Sequence, residues 1–491
     1  MLTEQDTISI SAFLDYLQSW HHKTVFIYAG KVFSYQWLVK SAKQMAGWLM
    51  NNQYAALMFT MKNSPLTALL YLGGWLSSCK LYPVNPRLIS HEVIQIIARA
   101  NPSVLLIEPD QADTKLVDYC SECNIVLEII DSPLSFIENL PCIGAPTNAD
   151  PISDQAITYH ISSGTGGHYN FHGHTLSQIL HYGYRRQFDL GLDSDDTLLI
   201  ALSFNHAYAF SYQLLPGLAM GLSMVLLPAF NAEAVKNAIT HHSITAVALL
   251  PTMYYLLCQL IKNDKEYNHC LRLLSVAGDQ VQAVLVKMVE KTLRVSLKNG
   301  IGMSEVYGYG QNTQVTLPAN KIKLFDEIEC KINPLSRTEI NRAAKTVTIG
   351  EIYLKTPTQP VGYTEKWLAT GDLGYFDEQR YLHFFGRIKD IIVKGGSNIS
   401  PIEIEHCLYQ LSGIDEVAVV GRSHEIWGAL ICACIVTTDN TTYLTKVSIN
   451  QYLSSYLALY KHIDEIYFMT ALPKNSMAKL DRSALTRAIN G

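Results

Sequence analysis

Charge is scarce in this chain: Asp, Glu, Lys and Arg together make up 16% of its residues, against 48% hydrophobic. That balance excludes wholesale disorder, because there is ample apolar surface to bury. Neither sign dominates, with 38 Lys+Arg against 43 Asp+Glu, a net charge of −5 and a pI near 6.3. A general nucleic-acid coat or a polybasic membrane binder needs a basic surplus, so no nucleic-acid partner is expected. Gly and Pro are ordinary at 29 and 18 in 491 residues, which removes collagen-like and low-complexity readings. The N-terminal MLTEQDTISISAF lacks a basic segment ahead of an apolar run, so no secretory signal is expected.

Cysteine is present but unorganised. Of the ten, only Cys120 and Cys123 form a C-x-x-C, and no second pair or His cluster completes a zinc site. Free thiols in a reducing cytoplasm are the expectation. Cys432 and Cys434 alternate within LICACIV, as on one face of a buried strand. The stretch Thr197 to Ala232 contains no charged residue and is long enough to cross a bilayer. Asn205, His206, Pro216, Gly217, Gly221 and Pro228 divide it. It reads as strand (TLLIAL), loop (SFNHAYAF), buried helix (SYQLLPGLAMG) and buried strand (SMVLLP), so no integral membrane segment is expected.

Length alone suggests roughly three domain-sized units. Short apolar runs (AALMFT, SVLLIE, IVLEII, AITYHI, AVALLP) alternate with helical patterns such as HEVIQIIARA and AEAVKNAITHH. That texture predicts an α/β fold with covered, largely parallel sheets. From Thr313 to about Phe385 it changes to short alternating strands, typical of a small antiparallel barrel or sheet. Beyond Gly386 a further α/β pattern begins. The simplest division is 1–389 and 390–491.

One loop carries chemistry. ITYHISSGTGGHYNFHGHTL follows an apolar strand and precedes a helix whose start, Thr175-x-x-Gln178, reads as a capping box. Ser162, Ser163, Gly164, Thr165, Gly166 and Gly167 offer hydroxyls and unshielded N–H groups able to wrap phosphate oxygens. No Walker A pattern is present. A plain strand-to-helix turn is an equal reading of this loop alone. Further on stand Asn299-Gly300-Ile301-Gly302-Met303-Ser304-Glu305, Gly350-Glu351-Ile352, Thr370-Gly371-Asp372, Gly386-Arg387-Ile388-Lys389-Asp390, Gly395-Gly396-Ser397 and Leu472-Pro473-Lys474-Asn475-Ser476-Met477-Ala478-Lys479.

Together, and in this order, these motifs resemble the adenylate-forming (AMP-binding) superfamily, in its acyl- and aryl-CoA synthetase branch; Leu81-Tyr82-Pro83-Val84-Asn85-Pro86 resembles an early turn of that family. The resemblance covers essentially the whole chain. It implies a large N-terminal domain of two mostly parallel sheets plus a small β-barrel-like subdomain, and a small mobile α+β C-terminal domain. It also implies ATP, Mg²⁺ and coenzyme A: a carboxylic acid is joined to AMP with pyrophosphate release, then passed to a thiol.

By this resemblance Ser162–Gly167 would hold the β- and γ-phosphates, Glu305 would carry Mg²⁺ and Ser304 would touch the α-phosphate. Asp372 would accept from both ribose hydroxyls and Arg387 would reach the ribose. Asp279, Gln280 and Asn299 would line the adenine edge, and Ile301 would replace the usual aromatic contact. Lys479 would bridge carboxylate and α-phosphate, Lys389 would be the hinge, and Gly395–Gly396 would exchange places with Lys479. His206, Ala207, Tyr208, Gly278 and Gly302 would line the acid pocket, His206 as a lining or gating residue. Ala207 cannot pair an α-ammonium group, which favours a plain organic acid.

The phosphate loop departs from the family's G-x-P-K-G: the same positions read Gly167-His168-Tyr169-Asn170-Phe171, so the lysine is absent. The alternatives that change leaves are a slower enzyme, a different nucleotide geometry, or a nucleotide-binding pseudoenzyme. The survival of Glu305, Asp372, Arg387 and Lys479 favours an enzyme. The acceptor is expected to be coenzyme A, as VAVVGRSHEIWGALICACIV suggests by likeness to CoA ligases. The alternative is a separate acyl carrier protein, since no carrier domain follows Gly491.

Overall fold

A computed structural model of the chain describes residues 9–141, 155–163, 169–262, 264, 267–278, 281, 283–312, 321–342, 345–437, 444–475 and 479–490. Two compact units emerge. One comprises Met1–Gly278, Val289–Tyr309 and Thr356–Thr364; the other Asp279–Met288, Gly310–Lys355 and Glu365–Gly491.

The first unit carries two mostly parallel sheets. In one, Val126–Ile129, Val104–Ile107, Ala56–Phe59, Lys80–Pro83 and Thr158–Ser163 run parallel, and Tyr169–His174 turns back antiparallel on the last. In the other, Leu297–Met303, Leu273–Val276, Ala246–Leu249, Thr197–Ile200, Ser223–Leu226 and Thr24–Tyr28 lie side by side in parallel, edged by antiparallel Lys31–Ser34. Runs such as ALMF, VLLI and AVAL are buried throughout, because helices cover both faces of a parallel sheet. Helix Pro65–Leu76 is apolar around its circumference and almost wholly buried, capped by Ser64 with Pro65 in its first turn.

The uncharged stretch Thr197 to Ala232 folds as strand, helix and strand, and no helix among the described residues is long and apolar enough to cross a membrane. The expected loop SFNHAYAF is shorter than its composition suggested, since helix begins at Ala207. That helix widens into a π-turn over Phe210–Leu214 and resumes as Leu215–Ala219. Pro216 explains the widening. It has no N–H for the carbonyl one turn back, and Leu215 N–H reaches Phe210 O instead.

In the second unit the alternating texture forms an antiparallel sheet in the order Glu329–Arg342, Lys345–Lys355, Leu368–Phe376, Leu382–Arg387, Lys321–Leu324. Residues 313–320, where that texture was read to begin, lie outside the described residues. A three-stranded sheet follows, Ile414–His424, Gly428–Thr437 and Glu465–Phe468. Its two faces are separate cores. Val417, Val419, Ile431 and Ala433 pack with Ile404, Leu408 and Ile449, whereas Ala418, Val420, Cys432 and Cys434 pack with Leu472, Leu485 and Ile489. The alternation of Cys432 and Cys434 therefore does mark one buried strand face.

Glu405 is buried in this unit, and its carboxylate accepts from Arg482 at 2.7 and 2.9 Å and from Val419 N at 2.6 Å. Deleting one partner of such a pair leaves an uncompensated buried charge. Arg482→Met is expected to destabilise this unit by about 3 kcal/mol, read as a lower urea midpoint with unchanged slope.

Candidate active site

The antiparallel pairing of Thr158–Ser163 with Tyr169–His174 sets Ser162 opposite Asn170, His160 opposite His172 and Thr158 opposite His174. Alternation along each strand puts His160, Ser162, Asn170, His172 and His174 on one face. His172 Nε2 lies 2.8 Å from Ser162 Oγ and 3.5 Å from Glu305 Oε1. Glu305 follows Ser304 just beyond strand Leu297–Met303, and both are partly exposed. The chain is fixed on leaving the hairpin. Gln178 N donates to Thr175 Oγ1 and Thr175 N to Gln178 Oε1, the expected capping box, while Gln178 Nε2 donates to the carbonyls of Pro357 and Gln359.

Burial dominates the histidine electrostatics. It drives His174 down to about 3, helped by repulsion from His172, and holds His160 well below the usual imidazole range. His172 is also lowered by burial, with Glu305 opposing the shift.

The expected acid-pocket residues lie close by in the same unit. Asn205, which is buried, donates to Met61 O and Val84 O, so the Tyr82–Pro86 turn and the Asn205–His206 segment are pinned together. His206 caps the helix: its Nδ1 accepts from Tyr208 N at 3.2 Å. Ala207 and Tyr208 are buried, and Tyr208 meets Tyr212 edge-on at 5.2 Å. Tyr212 lies against Gly300 and Gly308. A Cβ on Gly308 would come within 2.2 Å of its ring, and a Cβ on Gly302 within 2.8 Å of Tyr307 O. These glycines are positions of close approach. Gly278 has φ +88°, while Asn299 and Ile301 are half-buried on strand Leu297–Met303.

The second unit holds the expected ribose and lysine groups. Asp372 and Arg387 are directly paired across neighbouring strands, with Arg387 Nε 2.9 Å from Asp372 Oδ1. Asp372 is 5% exposed, and its N–H donates to Thr370 Oγ1. Glu351 Oε1 accepts from Gly371 N, bracing the turn that presents Asp372. Lys389 is exposed in the single turn Ile388–Asp390. Gly395 and Gly396 have φ of +55° and +79°, the two-residue hairpin turn that favours glycine at both positions. Lys479 is half-buried where Lys474 and Leu480 bridge. Its N–H donates to Asn475 Oδ1 and its carbonyl accepts from Asn475 N.

The sites expected from sequence therefore divide between the units. Ser162, Asn299, Ile301, Gly302, Ser304, Glu305, His206, Ala207, Tyr208 and Gly278 lie in one; Asp372, Arg387, Lys389, Gly395, Gly396 and Lys479 lie in the other. Gly164, Thr165, Gly166, Gly167, Asp279 and Gln280 lie outside the described residues, as does the side chain of Ser163. Sequence reading did not anticipate the contacts of His172, the brace from Glu351 or the packing of Tyr212 on glycines.

Among the described residues no three or more His, Cys, Asp or Glu gather as a metal-binding group. A single hard carboxylate at Glu305, its side chain 26% exposed, suits Mg²⁺ arriving on a nucleotide, since Mg²⁺ takes one or two carboxylates alongside phosphate oxygens.

Because His174 is neutral in the folded chain and charged when unfolded at acid pH, its stabilising effect is complete above about pH 6.5. It is lost as pH falls from there towards 3. His174 alone is expected to cost about 2 kcal/mol at pH 5 relative to pH 7.5. His174→Leu should flatten that limb in urea unfolding followed across pH.

The chain as a whole is similar to known proteins. The family model "AMP-binding enzyme" matches residues 13–364, and "AMP-binding enzyme C-terminal domain" matches residues 403–479. A 2-succinylbenzoate–CoA ligase of Oceanobacillus iheyensis is 31% identical over 346 residues, 68% of this chain and 70% of that one. An indoleacetate–CoA ligase of Aromatoleum aromaticum is 28% identical over 436 residues, 83% of each chain. The crystal structure of ATP-bound MatB from Rhodopseudomonas palustris superposes with a TM-score of 0.87 at 22% identity, covering 98% of this chain and 99% of that one, a likeness of fold. The α/β fold, the ordered motifs and a family match spanning most of its length make this chain a member of the AMP-binding enzyme family.

Proposed function

We propose that this AMP-binding enzyme is an AMP-forming acid–CoA ligase acting on an aryl or small-to-medium acyl acid. The observation that carries the reading is the match over 83% of both chains to an indoleacetate–CoA ligase, joined by the match to a 2-succinylbenzoate–CoA ligase. Both act on acids bearing an aromatic ring. Ala207 supports a plain acid: it is buried and offers nothing to an α-ammonium group.

In the first half-reaction a carboxylate oxygen attacks the α-phosphorus of ATP and pyrophosphate leaves. In the second, the thiol sulfur of CoA attacks the acyl carbon, AMP leaves, and the thiol proton is released. Both partners of the first step are anionic, so the protein's work is positioning and charge neutralisation. Lys479 supplies a positive charge between carboxylate and α-phosphate, and Ser304 a hydroxyl to that phosphate. The loop from Ser162 to Gly167 receives the outer phosphates, and Glu305 holds Mg²⁺, which when bound neutralises phosphate charge. Asp372, buried and acceptor-only, suits the two ribose hydroxyls, with Arg387 beside it. Asn299, Asp279 and Gln280 are assigned to the adenine edge, with Ile301 against its face.

His206, Ala207, Tyr208, Gly278 and Gly302 are assigned to the acid pocket. Lys389 is assigned as the hinge between 1–389 and 390–491, exchanging Lys479 for the Gly395–Gly396 turn between the two half-reactions. The reading includes a cytoplasmic setting, supported by the nine described cysteines, all free thiols.

Pyrophosphate release measured across aryl, short, medium and long acids, with and without CoA, tests the reading. Release restricted to one acid class and accelerated by CoA is the expected result. Release indifferent to CoA would transfer the acyl group to a separate carrier protein instead, and ATP binding without release would make the chain a pseudoenzyme. Lys479→Ala is expected to lower acid-dependent release by at least about a hundredfold. Asn170→Lys, which restores a loop cation on an exposed strand position, is expected to lower the KM for ATP severalfold.

A further inference from the structure

We propose that His172 is a positioning residue for the nucleotide, holding the Ser162 hydroxyl and the Glu305 carboxylate in one hydrogen-bonded unit. The inference rests on the ligase reading and deepens it. Three groups from three segments converge: Ser162 at the strand end, His172 on the returning strand and Glu305 beyond Leu297–Met303. The distances from Nε2 are 2.8 Å to Ser162 Oγ and 3.5 Å to Glu305 Oε1. Only 12% of the His172 side chain and 26% of Glu305 reach solvent, so the arrangement is held by packing rather than floating at the surface.

In this unit the ring proton is placed on Nε2, where it serves both neighbours, whereas an unprotonated Nε2 would aim a lone pair at Glu305. Nε2 then donates to Ser162 Oγ, with Glu305 as the second, longer acceptor. A serine oxygen that accepts in this way keeps its own O–H to donate to a third group. That hydrogen is available to a phosphate oxygen, the role the ligase reading assigns to Ser162. The ring also fixes Glu305 in one orientation, as an outer partner does for a metal-binding carboxylate.

The departure at Asn170 gives this device its purpose. Asn170 occupies the same strand face as His172, and with no lysine there, more of the hold on the triphosphate falls on Ser162 and Glu305.

The test uses the full chain and two readouts: calorimetric binding of ATP with MgCl₂, and acid-dependent pyrophosphate release, for His172→Leu, His172→Gln, Ser162→Ala and the Leu/Ala double variant. Circular dichroism confirms that each is folded. His172→Leu is expected to weaken ATP binding and raise the half-saturating Mg²⁺ concentration about tenfold, the effect of one hydrogen bond to a charged group. The KM for the acid should stay within about twofold. His172→Gln, whose amide nitrogen reaches the Nε2 position, should recover most of the loss. The double variant should bind no more weakly than the poorer single variant, the signature of a shared interaction.

Wild-type-like binding by His172→Leu, equal loss in the Gln and Leu variants, additive losses, or an equal rise in acid KM would each overturn the proposal. Wild-type protein that binds ATP but releases no pyrophosphate with any acid would sink the ligase reading while the binding series still decides His172. Wild-type protein that binds no ATP overturns both.

Discussion

The antiparallel register between Thr158–Ser163 and Tyr169–His174 is the constraint on which the grouping of Ser162, His172 and Glu305 depends. Five strands of its sheet run parallel and only the last, Tyr169–His174, reverses. A one-residue slip in that pairing would send every side chain to the opposite face. His172 would lose Ser162 and Glu305 together. The register is locked at the far end, where Thr175 and Gln178 cap the next helix and Gln178 reaches the carbonyls of Pro357 and Gln359. A local capping motif thereby fixes the end of strand Tyr169–His174.

The pairing of Asp372 with Arg387 is built by a different means in the other unit. There the sheet is antiparallel, and neighbouring strands put Asp372 and Arg387 directly opposite each other. Cross-strand opposition is an economical way to hold an acceptor and a cation at 2.9 Å, since two backbones already fix the separation. Burial of Asp372 adds selectivity: an acceptor-only carboxylate with little access to water favours ligands that bring hydroxyl donors. Glu351, one strand further out, braces Gly371 at φ +70° and so holds the turn before the carboxylate.

How much of this was legible in one dimension depended on the range of the interaction. The capping box at Thr175 and Gln178, the buried face of Cys432 and Cys434, and the parallel runs of apolar residues depend on neighbours within a few positions. Their patterns survive in sequence. The family resemblance singled out Glu305, Asp372 and Lys479 because each sits in a compact motif. The π-turn at Phe210–Leu214 was missed although its cause, Pro216, was in view, because composition does not say whether a helix breaks or widens at a proline. The bond from Glu351 to Gly371 joins residues 20 apart, and that from His172 to Glu305 joins residues more than 100 apart. No local periodicity encodes either.

The absent loop lysine at Asn170 was legible, but its meaning was not, because the sequence shows a loss without showing what surrounds it. The fold supplies the surroundings: Ser162 and His172 on one face of a hairpin, with His172 beside a partly exposed glutamate. Such a face differs from a lysine in kind. A lysine is a long, flexible point charge that finds a phosphate by electrostatic attraction and gives up rotamer entropy to hold it. Imidazole is short and planar, and a buried ring held by Ser162 and Glu305 has little freedom left to lose. Replacing a mobile cation by a preorganised hydrogen-bond array weakens long-range attraction for the triphosphate while sharpening the geometry of what binds. An enzyme with this loop should therefore depend more on correct Mg²⁺ and hydroxyl placement than on bulk attraction, which ties the fate of Asn170 to that of His172.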